Sequence, residues 1–145
     1  MKNFKHFLQY IFINILFFIF KILGFKKSSD LGNFIGKNIG SIFRSKKLII
    51  QNLKKAGVNK NLDNIASNVL GNYGRIFAEY VHLKNFKNNK LKKYISIVGY
   101  EHLESIKKNK KNVVFVSGHF NNFELMAMQI ENSGVACAAL YRPLN

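Results

Sequence analysis

The chain has no tryptophan, one cysteine, one proline and only 7 acidic residues against 23 Lys+Arg in 145 residues. Each shortage excludes something. A lone cysteine, Cys137, cannot build an internal disulfide framework. One proline and 10 glycines rule out collagen-like and proline-rich composition. His6, His82 and His102 show no metal-ligand pattern, and no Cys/His cluster has zinc spacing, so neither a metal nor a cofactor is expected. The scarcity of acids leaves a formal net charge of +16. That charge calls for a polyanionic partner or surface: nucleic acid, anionic lipid or an acidic carrier protein.

What is present qualifies the charge. Of the cations, 20 are Lys and 3 are Arg, beside 19 Asn, 16 Ile and 14 Phe. This joint excess matches a bias toward A/T-rich codons, so part of the charge reads as ordinary solvated surface. The shortage of Arg also argues against nucleic acid as the partner, since bidentate contacts to phosphate and guanine favour Arg. A hydrophobic fraction of 48% is too high for global disorder, and the length suits about one domain.

Residues 7–25, FLQYIFINILFFIFKILGF, lie between Lys2 and Lys5 on one side and Lys26 and Lys27 on the other. As a helix they measure about 28 Å, close to a hydrocarbon core of about 30 Å. Lys21 sits near one end, where it can snorkel. No small-residue cleavage site follows, so residues 1–27 are read as an uncleaved membrane anchor, either a single span or a helix lying in the interface. The larger basic cluster comes after it (Lys26, Lys27, Lys37, Arg44, Lys46, Lys47) and favours a cytoplasmic body against an anionic membrane surface.

Residues 28–56 read as an interfacial or packed soluble helix, with Ser28, Ser29 or Asp30 able to cap its start. Gly32, Gly36 and Gly40 fall four apart on one face. Each glycine costs about 1 kcal/mol against Ala in a helix, so something is expected to pack on that stripe. A further helix is predicted over 62–84, where Arg75 and Glu79 are spaced for a surface ion pair. Residues 94–98 are predicted to form a short strand, followed by Gly99 and a basic helix ending near Lys111.

The last thirty-odd residues carry the chemistry. Residues 113–117 and 135–140 are apolar and β-branched or small, and they bracket a helical stretch over 123–130 that ends at Asn132, Ser133 and Gly134. The expectation is an α/β fold with a right-handed βαβ unit, in which Cys137 packs inside the second strand. His119 follows the first strand and Arg142 the second, where ligands bind in such sheets. His119 and Glu124 are five apart, so a carboxylate on the first helical turn can face a histidine in the turn. That arrangement suits a general base with an orienting partner. The same spacing also fits a capping box from Asn121 to Glu124.

The string SGHFNNFELMA, followed by ALYRPLN, resembles the late acyltransferases of lipid A biosynthesis, the lauroyl/myristoyl transferase family. That family in turn resembles the glycerolipid acyltransferases, which share a His-x4-Asp/Glu motif. The pattern H-F-G-N-W-E-L is met here by His119, Phe120, Asn121, Asn122, Phe123, Glu124 and Leu125. The later Y-R-P-L-N is met by Tyr141, Arg142, Pro143, Leu144 and Asn145. Asn121 replaces Gly, which a positive φ tolerates, and Phe123 replaces Trp. The resemblance implies acyl transfer from an acyl-carrier-protein thioester to a hydroxyl of a lipid A precursor, at the cytoplasmic face of a bacterial inner membrane. His119 and Glu124 would be catalytic, and Arg142 and Asn122 would bind substrate. It also implies an N-terminal anchor, with residues 28–145 as the first part of an α/β domain that continues beyond Asn145. The rivals are a glycerol-phosphate or lysophospholipid acyltransferase and a non-catalytic basic membrane-surface protein.

Overall fold

The computed structural model describes residues 2–118 and 120–140. The elements run α1 (Lys2–Phe43), α2 (Lys46–Lys55), α3 (Leu62–Glu79), a 3-10 turn (Tyr80–His82), α4 (Leu83–Lys87), a second 3-10 turn (Lys92–Tyr94), α5 (Tyr100–Asn109) and α6 (Glu124–Asn132). They divide into two compact units, one through Leu83 and one from Lys84.

The first unit is built on the pairing of α1 with α3. Its contact face is the predicted glycine stripe, and what packs there is a second set of small residues. A Cβ at Gly32 would overlap the Gly74 carbonyl and lie 2.7 Å from the Ala78 Cβ. One at Gly36 would overlap the Leu70 carbonyl and lie 3.0 Å from the Gly71 Cα. The two backbones thus touch directly, and the propensity cost of the glycines is offset by close packing. Toward the N-terminus the spacer becomes aromatic, with Phe17 and Phe20 against Phe77 at centroid distances of 5.1 and 6.4 Å. Toward the other end, α2 closes over α3. Ser45 caps α2 by accepting the Leu48 N–H at 3.3 Å, and Ile49 joins Ala66 and Leu70 in a small core.

α1 is not one straight rod. Gly24, at φ 74° and ψ 168°, interrupts it, as a residue outside helical space must. Ser28 and Ser29 therefore do not cap a new helix; they are buried just past the break. Among the described residues, α1 is the one helix long and apolar enough to cross a membrane by length and composition. Its most apolar 18-residue window has a mean hydropathy of 2.0.

The second unit corrects the α/β expectation. No strand occurs among the described residues, and the regular structure there is all helical. Residues 94–98 begin in a 3-10 turn and continue without a ladder. Residues 113–117 and 135–140 are irregular, so no βαβ unit forms. The composition suited buried strands, but a strand exists only through a partner's hydrogen bonds. Val114 and Val116 are 89% and 92% exposed. Cys137 is likewise exposed and not packed inside. The helical expectations fare better. α5 ends at Asn109, near the predicted limit, and α6 is stopped by Gly134 at φ 85°, whose N–H donates to the Glu131 carbonyl at 2.9 Å.

Candidate functional site

The chemistry predicted from sequence centres on the turn into α6. His119 and Arg142, with residues 141–145, lie outside the described residues. Around them the local backbone is defined. The Phe120 N–H donates to the Gly118 carbonyl at 2.8 Å, a tight reversal after the apolar run. Asn121 adopts φ 47°, the left-handed conformation that the Gly-to-Asn replacement called for. Phe123 occupies the cap position, and Glu124 is the first helical residue. An Asn121–Glu124 capping box needs its acid three places into the helix, so the register here is different.

Glu124 therefore sits where the helix dipole favours a carboxylate. Its Oε2 and the Oδ1 of Asn122 are both withdrawn from solvent. The two expected site residues that can be placed thus share one partly buried turn. Beside it α6 walls an open cleft of about 750 Å³, lined by Phe123, Ala127, Met128, Val135 and Ala136, with Glu124 and Glu131 as its acids. Lys87 lies 3.9 Å from Glu131 and offsets that second charge. The cleft is lined mainly by apolar side chains, with two carboxylates among them. No group of three or more potential metal ligands occurs among the described residues.

A second polar constellation lies in the first unit, and the sequence did not signal it. Glu79, expected on the surface, is buried and accepts the Ser29 hydroxyl at 2.7 Å. Arg75 reaches Ser29 at 3.5 Å and Asp30 at 4.0 Å. His82 is buried, with Nε2 2.9 Å from Ser28 Oγ and its ring edge-on to Phe25 at 6.0 Å. The ring also hydrogen-bonds the Phe20 backbone. The one hydroxyl proton of Ser28 is shared between Nε2 and nearby carbonyls, of which the Phe25 carbonyl lies 2.9 Å from Oγ. Ser28 Oγ is also 2.7 Å from the Gly24 carbonyl, the residue at the break. Burial pushes His82 below its ordinary 6.5, while the Phe20 hydrogen bond and Glu79 pull upward less strongly. Ser28, Ser29, Glu79 and His82 are buried, with Arg75 and Asp30 at the exposed rim, and the cluster fastens α1 at its break. The only sequence cue was polar residues, Ser28, Ser29, Glu79 and His82, on faces that otherwise read apolar or small.

A sequence model of a family described as bacterial lipid A biosynthesis acyltransferase matches residues 1–145. No curated protein and no solved structure matches the chain.

Proposed function

Since the chain belongs to the bacterial lipid A biosynthesis acyltransferases, we propose that it moves a fatty acyl chain from an acyl-carrier-protein thioester to a hydroxyl of a lipid A precursor. His119 takes the hydroxyl proton as the oxygen attacks the thioester carbonyl. The C–S bond then breaks, an ester forms, and the proton leaves with the thiol. Glu124 orients His119 and stabilises its cation. Arg142 holds an acceptor phosphate or the developing oxyanion, and Asn122 holds the turn. A thioester is already activated, so no acyl-enzyme is required.

The observation that carries this reading is the turn itself. Asn121 at φ 47° delivers Glu124 to the first turn of α6, with one carboxylate oxygen withdrawn from water beside an apolar cleft. The membrane part of the proposal rests on α1. Only 6% of its apolar window is buried within the protein, unlike a core helix, and a bilayer is the medium that covers such a surface. We place the body at the cytoplasmic face of the inner membrane, on the side of the basic cluster that follows the anchor.

The test is acyl transfer measured with carrier-protein thioester and lipid A precursor. His119→Ala is expected to lose roughly 10²–10⁴-fold in kcat, and Glu124→Gln less, with membrane association intact. Normal transfer by His119→Ala would overturn the mechanism.

A further inference from the structure

A straight helix of α1's length would run about 63 Å, twice a hydrocarbon core of about 30 Å. Only about twenty residues fit, which is the stretch before the break at Gly24. The outward chemistry changes at that same residue. Before it most exposed side chains are apolar, among them Phe4, Phe12, Phe18 and Ile22, with Lys5, His6, Gln9, Asn14 and Lys21 as the polar exceptions. After it, one side of α1 is occupied by α3 through Gly32, Gly36 and Gly40. The helical period places Lys27, Phe34 and Ile42 away from α3, with Lys37 on the flank, its aliphatic chain against Gly71. All four are exposed, Phe34 at 65% and Ile42 at 78%.

Large apolar groups interleaved with lysines, on a helix whose back is already covered, match an interfacial helix face. The charge around it has one sign. Residues 26–60 hold nine cations (Lys26, Lys27, Lys37, Arg44, Lys46, Lys47, Lys54, Lys55, Lys60) and one acid, Asp30, which lies 4.0 Å from Arg75. Arg44 stacks over Tyr73 at 5.0 Å and Lys46 pairs with Asp63 at 2.9 Å, which leaves the other lysines as the cations to reach headgroups.

We propose that the segment of α1 after Gly24 lies along an anionic phospholipid surface, with Phe34 and Ile42 among the headgroups and Lys27 and Lys37 at the phosphates. It deepens the reading of the preceding segment as lipid-embedded, and rests on it in that respect. α1 then meets the bilayer twice, first through it and then along it. The His82–Ser28 contact, directly under the break, holds the bend between the two parts.

The absence of native tryptophan allows a direct test. The full chain carrying Phe12→Trp or Phe34→Trp is reconstituted into phosphatidylcholine vesicles with or without about 30% phosphatidylglycerol, and quenching by brominated lipid is measured. Trp at position 12 should be quenched in both. Trp at position 34 should be quenched strongly only with the anionic lipid, and salt should weaken that quenching. Replacing Lys27 and Lys37 by Gln should reduce the anionic preference by roughly five-fold per lysine. Quenching at 12 without quenching at 34, or equal quenching at 34 in both vesicles, would overturn the proposal and leave the anchor standing. Absence of quenching at both positions would remove the anchor reading too. Acyl transfer enters none of these outcomes.

Discussion

The two units differ in how their apolar and small residues are used. In the first, α1 and α3 meet backbone to backbone, and polar groups buried beneath the contact are matched in pairs: Ser29 with Glu79, and Ser28 with His82. In the second, valines and a leucine stay in water: Val98, Val114, Val116 and Leu140 are all highly exposed. Helices satisfy their own backbones, so two of them need only matching faces. Extended segments have no such independence. The proposed chemistry thus falls in the second unit, and the close helix interlock belongs to the unit with the apolar helix.

The largest expected effect comes from breaking the interlock. Gly36→Leu would drive a side chain into the backbone of Leu70 and Gly71, which cannot yield without separating the helices. A loss of about 3 kcal/mol or more is expected in chemical unfolding followed by circular dichroism. The matching change in the second unit sharpens the contrast. At Gly118 the nearest atoms a Cβ would meet are those of the Phe120 ring, a movable group that is itself exposed. Gly118→Ala should cost less than about 1 kcal/mol. Comparable losses at the two positions would remove the distinction.

Next comes the fastening at the break. His82→Ala removes the partners of the Phe20 backbone and Ser28, a cost of about 2 kcal/mol. The pH dependence has a definite sign. A histidine held below its ordinary 6.5 binds fewer protons folded than unfolded. Its contribution is complete above about 6.5 and is lost as pH falls through the lower folded value. The first unit should therefore weaken on acidification below about pH 6.5, and His82→Gln should flatten that part of the profile. An unchanged profile in the variant would show that other groups govern it.

The smallest effect belongs to the surface link between α2 and α3. Lys46 and Asp63 pair at 2.9 Å, with Asp63 largely exposed. Lys46→Ala should cost about 0.5 kcal/mol or less and be insensitive to position in the bilayer. A loss as large as that at His82 would place the pair in the core of the interlock instead of on its rim.

Much of this was legible in local pattern. The apolar stretch over 7–25, helicity across most of 28–56 and 62–84, the glycine stripe and the stop at Gly134 follow from periodicity, propensity and backbone sterics, whereas the break after Phe43 and the 3-10 turn over Tyr80–His82 divide what read as single helices. The HFNNFEL stretch pointed to the turn into α6, and the left-handed Asn121 agrees with it. Tertiary structure decided the rest. A run such as VVFVS carries strand composition, yet pairing depends on residues far along the chain, so composition alone did not determine that the run is unpaired and exposed. For the same reason Arg75 and Glu79 looked like a surface pair, and Cys137 looked buried. Burial is a property of what another element covers: α1 covers Glu79 and His82, and Cys137 is left exposed.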